Sequence, residues 1–196
     1  MIIALIRHSI TQGNLEQRYI GSTDQPLCDE GKELAKRVSN KMPSVERVFC
    51  SPMLRARQTA ALLFPQHSEH LIVEGLQECG FGACEGMTHQ ELLEQEDFRQ
   101  WLQEGKTLPP PGGEEPSVFA RRSRESFLAA IEQLYLQEVK TAAFVLHGGI
   151  IMSLMSQLAT PQQNFYEWRT KNCEGFILEN KAFNEPLTLI EPIRHL

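Results

Sequence analysis

Two short apolar runs in this chain, residues 2–6 and 142–146, each lead within two residues to histidine. Arg7-His8 follows the first and His147 the second. Runs of this kind, without polar alternation, read as strands buried on both faces, and a sheet covered by helices on both sides supplies that environment. Open α/β sheets place their ligands at the carboxyl ends of such strands, so both histidines fall where a site is expected. A single histidine there is more often a packing or capping residue. Two at equivalent strand ends, with arginine beside one, form a constellation.

The rest of the chain alternates in the same sense. A polar, glycine-containing loop runs to Gly21, and residues 31–41 carry helical spacing in Leu34, Ala35 and Val38. Residues 45–50 predict a second strand, and Ser51-Pro52 reads as a cap plus first-position proline of a helix reaching Phe64. A short strand over 71–73, a loop over 80–86 and a helix opened by the Thr88/Glu91 capping box come next. The Gly- and Pro-rich stretch 105–116 predicts a loop, and residues 116–138 a long helix with Phe119, Phe127, Ile131 and Leu134 near one face. Residues 148–158 form a helix after His147, and 175–178 and 187–190 supply further strands. The pattern predicts an α/β three-layer sandwich with a mostly parallel central sheet flanked by helices. At 196 residues the chain reads as a single domain over 1–196, with a cap at about 76–116.

Charge and composition narrow the partners. A net charge of −6 repels a phosphate backbone over most of the surface, which argues against nucleic acid. Only Asp24, Asp29 and Asp97 are aspartate, too few for the Asp clusters that gather Mg²⁺, Mn²⁺ or Ca²⁺, and no HExxH spacing occurs; no metal is expected. Five cysteines (Cys28, Cys50, Cys79, Cys84, Cys173) without a CxxC pair suit thiols in a reducing compartment, so the cytoplasm is the expected location. The first apolar run meets Arg7 too early for a signal peptide, and no apolar run is long enough to span a membrane.

Arg7 and Arg55 offer planar, permanently charged donors matched to phosphate oxygens, and Arg55 lies in the first turn of a helix, whose N-terminus favours anions. Arg57 and the Arg121, Arg122, Arg124 cluster read as solvated helix residues. Cys50 reaches Arg55 with four intervening positions where a cysteine phosphatase needs five. Gly31-Lys32 and Gly105-Lys106 lack the upstream glycine of a P-loop, and Gly80-Phe-Gly82 lacks the third glycine of a dinucleotide fingerprint. His67 and His70 have no nearby third zinc ligand.

Taken in order, Leu-Ile-Arg-His-Ser-Ile-Thr-Gln-Gly-Asn (5–14), Gly21 with Asp24-Gln-Pro-Leu (24–27) and Gly31, and Ser-Pro-Met-Leu-Arg-Ala-Arg-Gln-Thr-Ala (51–60) form a pattern. Leu-Gln-Glu-Cys-Gly-Phe-Gly-Ala-Cys-Glu-Gly (76–86), Pro-Gly-Gly-Glu (111–114) and Val-Leu-His-Gly-Gly (145–149) continue it. The series resembles the histidine phosphatase superfamily, also called phosphoglycerate mutase-like. The resemblance implies that His8 is a nucleophile forming a phosphohistidine and that Arg7, Arg55 and His147 hold the phosphoryl oxygens. It implies that Asn14 adds a neutral donor, that Glu78 protonates the leaving alkoxide, and that Ser9, Gly21 and Gly148 belong to the substrate-binding surface. Glu85 is expected to be structural or rim-lining. No cofactor is implied, and the partner is a small-molecule phosphomonoester; a monomer and a homodimer both remain open.

The pattern has departures. Ser9 stands for the usual glycine, where its side chain would narrow the pocket or donate to phosphate. Ile10 stands for Glu, Cys28 for the helix-starting Thr, with Asp29 expected to take over the cap, Cys84 for Trp, and Glu115 for Ser. The length favours a phosphatase over a mutase of the same family; a non-catalytic phosphate-binding module is the third reading. The 98–101 segment (Phe-Arg-Gln-Trp), the 109–114 segment and Asn-Cys-Glu-Gly (172–175) are similar to bacterial members grouped as α-ribazole phosphatases, which act in cobalamin assembly. The region 101–115 is expected to cap the pocket and select the substrate.

Overall fold

Period-two alternation in β1 (Ile2–Arg7) sends Ile3 and Leu5 into one apolar cluster and Ala4 and Ile6 into another, so the strand is buried on both faces. The computed structural model describes residues 1–103 and 109–195. Within them β1 joins β2 (Arg47–Cys50), β3 (Leu71–Ile72), β4 (Thr141–Leu146), β5 (Ala159–Thr160), β6 (Gly175–Glu179) and β7 (Leu187–Ile193) in one sheet ordered β3-β2-β4-β1-β6-β7-β5. The pairs β3/β2, β2/β4, β4/β1 and β5/β7 are parallel, and β6 is antiparallel to both its neighbours. The mostly parallel sheet expected from the sequence is present.

The helices are α1 (Gln12–Leu15), α2 (Asp29–Val38), α3 (Leu54–Leu63), α4 (His89–Leu93), α5 (Glu96–Gln103), α6 (Pro116–Leu136) and α7 (Gly148–Leu158). On one face, Phe127, Ile131 and Leu134 of α6 and Ile150, Ile151 and Leu154 of α7 pack on Leu5, Phe49 and Phe144. On the other, Leu34, Ala35 and Val38 of α2 and Ala56, Ala60 and Leu63 of α3 pack on Ala4, Val48 and Val145. Phe49 and Phe144 stack with ring centroids 4.7 Å apart, and full burial of one such ring stabilises by about 1.5–3 kcal/mol. A third, smaller cluster of Cys84, Leu92 and Phe98 gathers Tyr19, Phe81 and Trp101 beside the site. Among the described residues no helix is long and apolar enough to cross a membrane.

Several local expectations are corrected. The loop before Gly21 contains α1, started by a capping box between Thr11 and Asn14. Helix α3 begins at Leu54 with Met53 as its N-cap, so Ser51 stands two residues too early to cap it; its hydroxyl oxygen accepts from the Met53 N–H at 3.3 Å and meets His147 at 2.7 Å. The Leu54 N–H is satisfied instead by Asp24 Oδ1 at 2.8 Å, which assigns that aspartate a capping role across the loop. Asp29 does not replace the missing Thr cap; it is the first residue of α2 and pairs with Lys32, while the Cys28 thiol donates to the Ile10 carbonyl at 3.4 Å.

Candidate active site

Three adjacent parallel strands, β2, β4 and β1, end level with one another: Cys50 pairs with Val145, and Leu146 with Arg7. The next residues are therefore delivered side by side as Ser51, His147 and His8. Backbone bonds continue past the strand ends, His8 N–H donating to Leu146 O at 2.8 Å and Ser51 N–H to Val145 O at 3.1 Å. The His8 and His147 rings sit with centroids 5.2 Å apart. The two histidines read from strand ends are thus brought together by register alone.

His8 is 5% exposed, and its Nδ1 lies 2.6 Å from the Ser9 carbonyl. A carbonyl only accepts, so Nδ1 carries the proton and Nε2 keeps a lone pair. Burial pushes the imidazolium well below the ordinary histidine range, and Arg55 and Arg7 push it further against the opposing Ser9 carbonyl. The ring is neutral at pH 7, as a nucleophile requires. In His147, Nδ1 accepts from Arg55 Nε at 3.3 Å, so Nε2 donates to Ser51 Oγ at 2.7 Å. Burial and then the neighbouring His8, Arg55 and Arg7 likewise hold this ring in its neutral form.

Arg55 is almost fully buried and anchored by the carbonyls of Thr23 (2.8 Å) and Gly21 (2.7 Å). Gly21 is needed there because a Cβ would stand 1.9 Å from the Cys79 carbonyl. Arg7 donates from Nη1 to the Thr170 carbonyl at 2.7 Å, while its buried Nε has no hydrogen-bond partner among the described residues. Burial lowers both guanidinium pKa values, and Glu78 is the foremost group opposing this. Two buried guanidinium groups face one carboxyl, which leaves a local excess of positive charge matched to an anion.

Glu78 accepts from the Cys79 N–H at 3.0 Å through Oε1 and from the Gly149 N–H at 2.8 Å through Oε2. Burial raises its pKa even though those two N–H groups, Arg55 and Arg7 act in the other direction. It is therefore poised to hold a proton. Its backbone is held by Arg122, which forks onto Glu114 (Nε–Oε1 2.6 Å, Nη2–Oε2 2.7 Å) and donates to the carbonyls of Gly75, Gln77 and Glu78. Arg122 is thus not the solvated helix residue its cluster suggested. Its signal lay in helical spacing: three residues after buried Phe119, whose ring its guanidinium covers at 5.1 Å, it flanks the buried face of α6.

Arg7, His8 and Glu78 open into a cavity of about 860 Å³ whose walls also include Asn14, Gly148 and Gly149, while Arg55 and His147 are buried and do not line it. Tyr19, Phe81, Trp101, Phe119, Phe165 and Tyr166 supply aromatic surface. Trp101, Pro110 and Glu114 of the expected cap reach this wall; residues 104–108 of that cap lie outside the described residues. Ser9 and Gly21 do not line the cavity: Ser9 Oγ donates to the Gly31 carbonyl at 2.6 Å, and Gly21 acts on Arg55. Glu85 collects the N–H groups of Gly21, Ser22, Thr23 and Phe81 and so shapes the loop under Arg55. Phe165, Tyr166, Arg169 and Thr170 also enter the wall, and no periodicity or motif in the sequence singled them out.

Comparison with known proteins places the chain in a family. Residues 3–187 match the family described as histidine phosphatase superfamily (branch 1). An adenosylcobalamin/alpha-ribazole phosphatase of Salmonella typhimurium is 28% identical over 95% of this chain and 100% of its own length. A 2,3-bisphosphoglycerate-dependent phosphoglycerate mutase 2 of Gloeobacter violaceus is 28% identical over 83% of this chain and 78% of its own. The crystal structure of the alpha-ribazole phosphatase from Shigella flexneri superimposes with a TM-score of 0.83 at 25% identity, covering 97% of this chain and 96% of the other.

Proposed function

Because this chain belongs to the histidine phosphatase superfamily, we propose that it hydrolyses the phosphomonoester of a small metabolite through a phosphohistidine at His8. The observation that carries this reading is the His8 tautomer: Nδ1–H is committed to the Ser9 carbonyl at 2.6 Å, which leaves Nε2 as an in-line nucleophile beside Arg7. Nε2 attacks phosphorus, the bond from phosphorus to the ester oxygen breaks, and the Glu78 carboxyl gives its proton to the departing alkoxide. Water then attacks the phosphohistidine, the P–N bond breaks, Glu78 recovers a proton and inorganic phosphate leaves. Arg7, Arg55 and Asn14 meet the charge on the phosphoryl oxygens without a metal or cofactor, and His147, hydrogen-bonded to Arg55, completes the clamp.

For the substrate, the aromatic wall supports an alcohol with a flat, weakly charged body, such as α-ribazole 5′-phosphate, the substrate class in the names of the Salmonella and Shigella relatives. A mutase acting on a small carboxylic acid needs further cations for the carboxylate. Of the other arginines in the described wall, Arg18 is paired with Glu16 and Glu91, and Arg169 lies over the Tyr166 ring. The free thiols of Cys28, Cys50, Cys79, Cys84 and Cys173 support a reducing, cytoplasmic setting.

The deciding experiment incubates purified protein and His8→Ala, with a chelator present, with α-ribazole 5′-phosphate, 3-phosphoglycerate, phosphoserine and a sugar phosphate. Phosphate release and isomerised product are both followed. The expected result is phosphate release by the wild type alone, fastest on α-ribazole 5′-phosphate, whose alcohol carries an aromatic base. Isomerised product would make the protein a mutase, and full activity in His8→Ala would overturn the reading.

A further inference from the structure

Asn172 lies in the cavity wall between Thr170 and β6, and its amide nitrogen donates to two residues of that wall, His8 and Asn14. Nδ2 donates to the His8 carbonyl at 2.9 Å and to Asn14 Oδ1 at 3.1 Å. Chemistry fixes both amide orientations. The Thr11 N–H can only donate, so the Asn14 atom it meets at 3.2 Å is Oδ1. Asn172 then faces two acceptors and must offer its NH₂, one hydrogen to each.

The consequence falls on Asn14. Its Oδ1 accepts from both Thr11 and Asn172, which fills both lone pairs. The Asn14 NH₂ is the end left for the cavity that Asn14 lines. Without Asn172 one lock is lost, and the flipped amide would turn an oxygen toward an anion. Asn172 itself sits on a braced segment: Cys173 N–H donates to Arg7 O at 2.9 Å, Arg7 N–H to Glu174 O at 2.8 Å, and His195 Nε2 to Asn172 O at 2.7 Å.

We propose that Asn172 is a positioning residue that holds the backbone of His8 and locks the Asn14 amide with its donors toward the phosphoryl oxygens. This rests on the reading of His8 and Asn14 as phosphoryl-binding groups. The two assignments separate experimentally, because phosphate binding and phosphate release can be measured on the same proteins.

The test is a double-mutant cycle. Asn172→Ala and the more nearly isosteric Asn172→Leu are made in wild-type and Asn14→Ala backgrounds, with melting curves confirming that each folds. Hydrolysis of p-nitrophenyl phosphate and calorimetric binding of inorganic phosphate are read on every variant. The expected loss is about tenfold in kcat/KM and in phosphate affinity in the wild-type background, and at most about threefold where Asn14 is already gone. Equal losses in the two backgrounds, or unchanged kinetics and binding in both Asn172 variants, overturn the proposal. A coupled loss of phosphate binding in a protein that hydrolyses no ester would uphold it and overturn the phosphatase reading instead.

Discussion

Gly149 and Glu78 are built against each other: the Gly149 N–H donates to Glu78 Oε2 at 2.8 Å, and a Cβ on Gly149 would lie 2.4 Å from Glu78 Oε1. The first turn of α7 thus both orients the Glu78 carboxyl and leaves no room for a side chain beside it. Gly149→Ala is expected to move the carboxyl by a fraction of an ångström to an ångström and to lower kcat about 100-fold, since misplacement on that scale has that cost. Alanine is the better helix former by up to about 1 kcal/mol, so the melting temperature should stay level or rise. An inactive but undiminished fold separates this from general damage; a variant that keeps wild-type kcat would show that Glu78 is not held by this contact.

Glu78 and His8 are displaced in opposite directions, which sets the pH profile. His8 must be neutral to attack, and burial with Arg55 and Arg7 lowers its pKa well below 6.5, so the acid limb of kcat/KM lies well below that value. Glu78 must be protonated to serve the leaving alkoxide, and burial raises its pKa above 4.5, so a second limb falls as pH rises through the elevated value. Glu78→Gln should lower the maximum about 10²- to 10⁴-fold on an alkyl phosphate and remove only the limb on the alkaline side. A variant profile that keeps this limb at its wild-type position would assign that proton elsewhere.

What the sequence made legible is what short-range physics dictates. The apolar runs at 2–6 and 142–146 named the two central strands, and because β1 and β4 pair in register up to Arg7 and Leu146, the residues that follow, His8 and His147, had to be neighbours. The capping box at Thr88 and the helix 148–158 were readable for the same local reason. Ser51 was not, since its hydroxyl answers to His147, 96 positions away. Thr170 was hidden likewise, because its carbonyl meets Arg7 across 163 positions, which leaves no trace in composition or period; Arg122 and Asn172 carried a spacing or a motif, but their partners on distant segments were not readable from it.

Arg122 braces the backbone of Glu78. Its guanidinium pairs with both Glu114 oxygens and reaches three carbonyls ending at Glu78, a fan of donors that an ammonium on a flexible stem cannot reproduce. Arg122→Lys keeps the charge and loses the fork. The expected cost is about 1.5–3 kcal/mol of stability together with a drop of roughly tenfold in kcat. Chemical denaturation and steady-state kinetics read the two effects separately. A lysine variant with wild-type kcat would confine Arg122 to a structural role.

Ser9 tests the departure that the sequence made most prominent. Its hydroxyl is fully buried and donates to the Gly31 carbonyl at 2.6 Å, and its N–H donates to Thr59 Oγ1 at 2.9 Å, which in turn donates to the Arg55 carbonyl. Gly31 is itself pressed against β1's exit, where a Cβ would meet the Ile10 carbonyl at 2.0 Å, so the serine ties the start of α2 to the His8 loop. Ser9→Gly removes one buried hydrogen bond and adds backbone freedom to the unfolded chain, a cost of about 1–2 kcal/mol. For a chain of this size that is a fall of several degrees in melting temperature. The N–H bond to Thr59 survives in glycine, so kcat/KM well below the melting transition should stay within about threefold of wild type. A tenfold loss of activity with no loss of stability would put the hydroxyl on the phosphoryl group instead of on Gly31.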